Sequence, residues 1–334
     1  MPKPLSEQVV VVTGASSGIG RCTALHLAAR GARVVLTARR AEALEEVVRE
    51  IEGAGGEALA VPGEVTRQED LQAVAAAAVR RFGRIDTWVN NAGVYIQGRV
   101  QDISLDEYRR VLDVNFVGVV NGTQRALELM LRQGSGVIVQ VSSVAAKRGV
   151  PYTSAYTASK AAIASFTEAV RSEILGSGVS LSVLYPPTVD TPIYDQGRGK
   201  LGVVPKPAPP VADPLEAARA IAHLAETGDR HRYFGWAGPL AALNAAFPAL
   251  GDWLLHHGEG FTYTGVPADA DDNLDSPSER IPATVRAGWQ APGWKGLTVR
   301  ETVRVLPLES ALAAAALGFV AARVLGGATR LRGG

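Results

Sequence analysis

The stretch QVVVVTGASSGIG, residues 8–20, decides the fold of this chain. Its first half is an unbroken apolar, β-branched run, which is typical of a strand buried on both faces of a parallel sheet. Its second half places Gly14, Gly18 and Gly20 before a predicted helix, where they permit a tight turn. The N–H groups at the start of that helix would suit a pyrophosphate. A glycine-rich turn without a ligand is the alternative, but the position after a buried strand favours the binding site.

Outward from this stretch, buried apolar runs alternate with segments of helical spacing. This alternation predicts parallel strands joined by crossover helices, and therefore a doubly wound α/β sheet with helices on both faces. Ligands of such sheets bind beyond the carboxyl ends of the strands. The predicted strands are 8–13, 32–38, 57–65, 85–93, 136–143, 179–187 and, after a helix over 214–228, 230–238.

The last third of the chain departs from this pattern. We expect a dinucleotide-binding and catalytic domain over residues 1–240 and an irregular and helical C-terminal extension over 241–334. Proline and glycine in residues 197–214 predict a mobile loop. The polar residues 265–296 predict an extended surface excursion.

The apolar run ALAAAALGFVAA, residues 311–322, has two interpretations. It is shorter than the roughly 20 residues of a membrane span, which favours a terminal helix packed on the body or on a partner subunit. Weak membrane association of this tail is the alternative. The polar residues 1–8 lack the apolar core of a signal peptide, and Cys22 has no second cysteine to pair with. We therefore expect a cytoplasmic protein.

Composition excludes several classes of function. The chain has 334 residues, of which 47% are hydrophobic and 20% charged, so it can bury a substantial core. Its formal net charge of +1 gives no indication of nucleic-acid binding. Of the five histidines only His256 and His257 are adjacent, and neither has a cysteine or acidic partner at ligand spacing. We therefore expect no metal site.

The end of the second predicted strand bears on cofactor choice. An acidic residue there would bind the adenosine ribose 2′-hydroxyl of NAD(H). This chain instead has Ala38 followed by Arg39 and Arg40, and arginine suits the 2′-phosphate of NADP(H). A solvated helix start would account for the arginines but leaves the missing acid unexplained. The sequence therefore favours NADP(H) over NAD(H).

Tyr156 and Lys160 lie four residues apart in TSAYTASKAA, residues 153–162. On a helix this spacing places both side chains on one face. A free phenol has a pKa near 10, and a nearby ammonium, together with any bound cofactor cation, is expected to lower that pKa so that the phenol can exchange protons near neutral pH. An ordinary surface pair on a helix is the alternative.

Three further features match a common site. Ser143 follows a predicted strand thirteen positions before Tyr156, and NNAG, residues 90–93, ends another strand. Asn115 lies inside an otherwise apolar helix, where a buried amide must have partners. It is either a packing residue or the anchor of a water that carries protons from Lys160 to solvent.

In this order, the glycine turn, NNAG, Asn115, Ser143, Tyr156, Lys160 and PPTVDTP resemble the short-chain dehydrogenase/reductase superfamily over roughly residues 7–240. The resemblance implies a Rossmann-type sheet and a homo-oligomer, a dimer or tetramer that pairs through the helices bearing Asn115 and Tyr156. It implies that Tyr156 is the acid or base, that Ser143 binds the substrate oxygen and that Lys160 binds the nicotinamide ribose. The implied cofactor contacts are Gly14, Ser16, Ser17, Gly18, Ile19, Gly20, Arg39, Arg40, Glu64, Val65, Asn91, Ala92, Gly93, Tyr156, Lys160, Pro186, Thr188, Val189 and Thr191.

The chain departs from the family pattern at two places. Glu64 precedes Val65 where many relatives have aspartate, and Pro186–Pro187 replaces the usual proline–glycine. The leading hypothesis is an NADP(H)-dependent oxidoreductase that interconverts a small-molecule carbonyl and a secondary alcohol. The alternative is a non-catalytic NADP(H)-binding sensor or scaffold, which would have no need of Tyr156.

Overall fold

The computed structural model describes residues 2–257, 263–267, 272–278 and 282–289, without the side chains of 257 and 263–267. Residues Met1–Gln290 group into one compact unit, distinct from Ala291–Gly334. The predicted domain boundary at residue 240 stays a prediction. The apolar run 311–322 lies outside the described residues, so neither interpretation of it is tested.

A seven-stranded parallel sheet forms the centre of the molecule. Its strand order is β10-β7-β6-β4-β1-β2-β3, so the order reverses between β1 and β4. The predicted fold class, a doubly wound Rossmann-type sheet, is confirmed. The strands are β1 (Val9–Thr13), β2 (Arg33–Thr37), β3 (Ala58–Ala60), β4 (Thr87–Asn90), β6 (Gly136–Val141), β7 (Val179–Tyr185) and β10 (His231–Tyr233).

Helices follow most of these strands and cover both faces of the sheet, and short strand pairs lie outside it. The helices are α1 (Gly18–Ala29), α2 (Ala41–Gly53), α3 (Gln68–Phe82), α4 (Leu105–Leu112), α5 (Gly118–Gln133), α6 (Ser154–Glu173), α7 (Pro214–Thr227), α8 (Ala237–Ala246) and α9 (Pro248–His257). The outlying strands are β5 (Ile96–Gln97), β8 (Arg198–Gly199), β9 (Val203–Pro205) and β11 (Tyr263–Pro267).

Two apolar layers sandwich the sheet because its central strands are buried on both faces. In β1, Val10 and Val12 join the layer that includes α1, α2 and α7, and Val9 and Val11 join the layer that includes α3 and α5. The uninterrupted valine run of the sequence therefore reflects a strand with no solvent-facing side. Removing apolar surface from water stabilises the fold by about 25 cal/mol for each Å², so a strand buried on both faces contributes through every side chain.

The structure differs from the sequence prediction mainly at strand ends. The predicted strand 230–238 ends at Tyr233, and α8 begins at Ala237. The predicted strand 85–93 ends at Asn90, because the next three residues turn toward the glycine loop. Among the described residues, no helix is both long enough and apolar enough to cross a membrane.

A buried polar network joins β4 and β6 to α5. The Asn90 amide donates to Gln140 Oε1 at 2.9 Å and to Thr123 Oγ1 at 3.3 Å, while Trp88 Nε1 donates to Asn90 Oδ1 at 2.9 Å. Gly122 lies against this network, and a Cβ at that position would be 2.1 Å from Asn90 Oδ1. The network therefore depends on a helix residue without a side chain.

We expect Gly122→Ala to lower the free energy of unfolding by about 1–3 kcal/mol, because the added methyl group overpacks the buried network. Gly53→Ala is the matched control: nothing lies within 4 Å of its added Cβ, so it should raise stability by about 0.4–1 kcal/mol. Urea unfolding of both variants measures the two effects. Equal effects at the two sites would contradict this account of the packing.

Candidate active site

The predicted site residues meet at the carboxyl edge of the sheet, where the strand order reverses between β1 and β4. The glycine turn after β1 packs tightly against the turn after β4: a Cβ on Gly14 would be 2.8 Å from the Ala92 Cα atom. Gly14 and Gly18 both have positive φ, +65° and +55°. These close approaches and backbone angles explain why the turn needs glycine.

Thr13 fastens the two turns together, a role that the sequence analysis missed. Its hydroxyl oxygen accepts the N–H groups of Asn91 at 2.9 Å and Ala92 at 3.0 Å. The Asn91 amide in turn donates to the Thr13 carbonyl at 2.9 Å. The NNAG turn is thereby held against the glycine turn before α1. Its role as a support of the cofactor pocket stays a prediction.

Asn115 is fully buried in a π-helical turn, Asp113–Val117, between α4 and α5. Its Oδ1 accepts the Val94 N–H at 2.8 Å, and its amide donates to the Val94 carbonyl and to Ser159 Oγ, both at 3.0 Å. The side chain therefore clamps the chain after NNAG to α6. Its predicted role as the anchor of a relay water stays a prediction.

Tyr156 and Lys160 lie on one face of α6, with the Lys160 Nζ atom 5.6 Å from the centre of the Tyr156 ring. Lys160 is only 4% exposed, and its ammonium donates to the Val141 carbonyl at the end of β6 at 2.9 Å. Burial lowers the pKa of Lys160 to about 8. At neutral pH this ammonium still carries its charge beside the phenol.

Burial raises the pKa of Tyr156 to about 12, and a hydrogen bond with the Ser143 side chain opposes this rise only in part. The predicted lowering of this pKa by Lys160 is therefore wrong for the chain alone. The reason is desolvation, which penalises the phenolate more than its neighbours stabilise it. The phenol of the chain alone is thus protonated at neutral pH.

Of the two serines after β6, only Ser143 has its hydroxyl at the phenol. Ser143 Oγ accepts the Ala145 N–H at 3.1 Å, which helps to hold its rotamer, and it also bonds to Tyr156. Ser142 Oγ donates instead to the Lys160 carbonyl at 2.8 Å. This arrangement agrees with the preference for Ser143 that the spacing to Tyr156 suggested.

Aromatic side chains surround the phenol, a feature that sequence periodicity did not reveal. The ring of Tyr95 lies edge-on to Tyr156, with centroids 5.2 Å apart, and Tyr194 lies edge-on to Tyr95 at 5.4 Å. Trp289 contacts Tyr194 at 6.3 Å. Burial raises the pKa of Tyr95 and of Tyr194 as well, so these walls are neutral and largely apolar.

The loop after β7 closes the site from the other side. The Pro186 carbonyl accepts the Val144 N–H at 2.9 Å, Val189 pairs with Ala212, and Thr188 bonds to the Tyr194 side chain. A Cβ on Gly18 would lie 3.2 Å from Thr191 Cβ. The predicted PPTVDTP segment therefore reaches from the phenol to the start of α1, despite the second proline.

Arginines dominate the end of the groove beyond β2. Arg39 and Arg40 lie there as predicted, and Arg110 of α4 joins them by an ion pair with Glu64 at 2.8 Å. Val65 packs against Gly118 of α5. Glu64 is thus committed to Arg110, a partner that the sequence analysis missed because α4 and the residues after β3 meet only in the folded chain.

A C-terminal segment crosses this groove. We call its described residues, 272–278 and 282–289, the strap. Leu274, Ser278 and Trp289 of the strap are buried, so the predicted surface excursion is wrong over these residues. Their polar side chains and backbone find partners in the arginines and loops of the body, which is why their polarity misled the sequence interpretation.

In the part of the chain that the structure describes, no group of three or more His, Cys, Asp or Glu residues could hold a metal ion. The site offers hydrogen-bond donors instead. Backbone N–H groups at an uncapped helix start, three arginines and a buried ammonium suit a ligand that carries phosphates and hydroxyls. A protonated phenol and a serine hydroxyl at the other end suit an oxygen that gains a proton.

Comparison with known proteins identifies the family. Residues 8–200 match the family model described as short chain dehydrogenase. An oxidoreductase of Bacillus subtilis strain 168 named YxnA is 38% identical over 258 residues, 76% of this chain and 72% of that protein. A 3-oxoacyl-[acyl-carrier-protein] reductase of Synechocystis is 36% identical over 66% of this chain and 90% of its own length.

A solved structure shares the fold. An alcohol dehydrogenase from the archaeon Thermococcus sibiricus, complexed with 5-hydroxy-NADP, superposes with a TM-score of 0.61 at 27% sequence identity. The match covers 68% of this chain and 95% of that one.

The buried ammonium of Lys160 should make the stability of the protein depend on pH. Because burial lowers its pKa from 10.5 to about 8, the unfolded chain binds more protons at this site between pH 8 and 10.5, and stability should rise with pH there. Relative to Lys160→Met, the parent should gain about 2 kcal/mol in free energy of unfolding between pH 7 and pH 10. Urea unfolding of both proteins at several pH values measures this difference, and a constant difference would contradict it.

Proposed function

Since the chain belongs to the short-chain dehydrogenase family of oxidoreductases, we propose that it interconverts a carbonyl and a secondary alcohol with NADP(H). The observation that carries this proposal is the convergence of the Tyr156 phenol, the Ser143 hydroxyl and the Lys160 ammonium at the carboxyl edge of the sheet. A protein that only bound the dinucleotide would have no use for a desolvated phenol at this place.

Tyr156 acts as the general acid in the reducing direction. With its pKa raised to about 12, the phenol is protonated at neutral pH and donates its proton to the substrate oxygen as the carbonyl bond is reduced. The cofactor supplies the hydride to the carbonyl carbon. Proton and hydride thus reach opposite ends of one bond, which requires alignment above all.

Ser143 and Lys160 support this proton transfer. The Ser143 hydroxyl binds the substrate oxygen and holds it beside Tyr156. The Lys160 charge favours the phenolate that forms after donation, and its burial strengthens this interaction because few solvent molecules screen it. Asn115 acts indirectly, as a positioning residue that fixes α6 against the NNAG turn.

NADP(H) is preferred over NAD(H) because the groove is cationic where the adenosine ribose lies in such folds. Arg39 and Arg40 follow β2, and Glu64 is paired with Arg110. Burial first, and then the neighbouring charges of Arg110 and Arg40, lower the pKa of the Arg39 guanidinium. A 2′-phosphate would gain charge-assisted bonds here, whereas a 2′-hydroxyl would find no acidic acceptor directly after β2. The NADP analogue in the Thermococcus sibiricus structure is consistent with this preference.

Tyr156→Phe should lower turnover by at least about 10²–10⁴-fold, the usual contribution of general acid catalysis, while the dissociation constant for NADPH stays the same. A panel of ketones and alcohols, followed by NADPH absorbance, measures turnover, and fluorescence titration measures binding. Tyr108→Phe is the matched control, since its hydroxyl bonds to Ser154 at the protein surface. Full activity in Tyr156→Phe would refute the assignment of the acid.

Arg39→Asp should reduce affinity for NADPH about 10–100-fold relative to NADH, the equivalent of one lost hydrogen bond to a charged group. The ratio of the two dissociation constants is the readout, because it cancels effects common to both nucleotides. Arg49→Asp, an exposed change of the same charge on α2, is the control and should leave the ratio near that of the parent. An unchanged ratio in Arg39→Asp would exclude this basis for the preference.

A further inference from the structure

We propose that the strap is an internal competitor of the dinucleotide: it occupies the cofactor groove of the free protein and must leave before NADP(H) can bind. This inference rests on the proposed function, since it requires that the groove binds the cofactor. It is carried by the order of the strap's contacts, which follow the groove from the arginines to the phenol.

The strap begins on the residues assigned to the adenosine end. Arg39 donates to the Asn273 carbonyl at 2.8 Å and to the Asp275 carbonyl at 3.2 Å. Arg110 donates to the Leu274 carbonyl at 2.9 Å. The guanidinium groups that would bind a 2′-phosphate therefore bind strap carbonyl oxygens instead.

The middle of the strap covers the pyrophosphate end of α1. Arg40 donates to the Ser278 carbonyl at 3.3 Å, and the Gly18 N–H donates to the Thr284 carbonyl at 2.8 Å. Arg21 donates to the Ala283 carbonyl. The first N–H of α1 is the donor that a pyrophosphate would use, so strap and pyrophosphate compete for the same group.

The strap ends at the aromatic wall near the phenol. Asp190, which is 1% exposed, accepts the N–H groups of Ala287 at 3.2 Å and Trp289 at 2.9 Å through Oδ1. Trp289 also contacts Tyr194, which belongs to the aromatic wall around Tyr156. The strap therefore spans the groove from the adenosine end to the place where the nicotinamide must lie.

The chemistry of these contacts makes the strap displaceable. Its acceptors at the arginines and at α1 are neutral carbonyl oxygens. At the Gly18 N–H a phosphate oxygen would form a charge-assisted bond that is roughly twice as strong, and at the arginines a phosphate would add its own negative charge opposite the guanidinium cations. Outside these shared donors, ion pairs hold the strap at both ends. Arg198 pairs with Asp272 at 2.7 Å and with Asp275 at 2.8 Å, and Arg286 pairs with Asp213 at 2.7 Å.

These ion pairs allow the strap to be loosened without changing the residues assigned to the cofactor. If the strap closes the groove in about nine of ten molecules, the affinity for the cofactor is reduced about tenfold. Asp272→Ala/Asp275→Ala and, separately, Arg286→Ala should therefore tighten binding of NADPH and NADH by several-fold, up to about tenfold. Fluorescence titration of the full-length variants with each nucleotide measures these affinities.

Two comparisons exclude other causes of tighter binding. Asp102→Ala/Asp106→Ala removes the same two charges from exposed positions outside the strap, and it should leave both affinities near those of the parent. Tighter binding of NADPH alone would mean that a freed Arg198 attracts the 2′-phosphate, and it would overturn the inference. Equal increases in affinity for NADH and for NADPH require that the groove itself has opened.

Hydrogen exchange of the unmodified protein gives a second readout. Added NADPH should speed amide exchange in peptides that cover residues 272–289, because the N–H groups of Ala287 and Trp289 lose Asp190 and that of Asn273 loses the Gln196 carbonyl. Slower exchange, or weaker nucleotide binding by the loosened variants, would show that the strap covers bound cofactor, and unchanged affinities would show that it does not compete.

If NADPH binds and the strap opens but no carbonyl is reduced, the proposed reaction fails and the inference stands. If neither the parent nor any variant binds NADPH or NADH, the proposed function and the inference about the strap both fail.

Discussion

The hydrogen-bond donors at the carboxyl edge of the sheet need acceptors, and the rest of the structure is arranged around that requirement. The start of α1, the ammonium of Lys160 and three arginines, Arg39, Arg40 and Arg110, all bind backbone carbonyl oxygens. Leaving such groups buried without partners would cost roughly 1–3 kcal/mol each, and more for those that are charged. In the free protein, carbonyl oxygens of the strap and of β6 serve as the acceptors. A phosphate-rich cofactor would bind the same donors. The fold needs acceptors for these donors, and under the proposed function the cofactor would supply them.

Burial acts in opposite directions on the two titratable groups of α6. It raises the pKa of the Tyr156 phenol to about 12 and lowers that of the Lys160 ammonium to about 8. Desolvation alone would bring both groups toward their neutral forms. The hydrogen bond from Ser143 opposes this for the phenol, and the Val141 carbonyl accepts a bond from the ammonium. The site of the chain alone thus keeps a protonated phenol beside a cation, and that cation favours the phenolate that forms when the phenol gives up its proton.

Trp289 links the cofactor groove to the aromatic wall of the substrate pocket. Its backbone N–H is bound by Asp190 of the loop after β7, and its ring contacts Tyr194, which in turn contacts Tyr95 beside the phenol. A displaced strap would therefore remove one aromatic side chain from that wall at the moment when the cofactor enters. Under the proposed competition, filling of the groove and opening of the pocket become a single event.

Local patterns in the sequence were enough to predict several parts of this protein. Valine runs predicted strands buried on both faces, the glycine turn predicted the loop before α1, and the four-residue spacing placed Tyr156 and Lys160 on one helix face, because strand alternation and helical periodicity act between near neighbours. Four features could be seen only in the folded structure: the hydrogen bonds by which Asn115 joins Val94 to Ser159, the pairing of Arg110 with Glu64, the aromatic wall and the path of the strap. These features join residues far apart in the chain through loops without periodic pattern. The direction in which the Tyr156 pKa shifts could likewise be seen only in the folded structure, because desolvation depends on everything that surrounds the phenol.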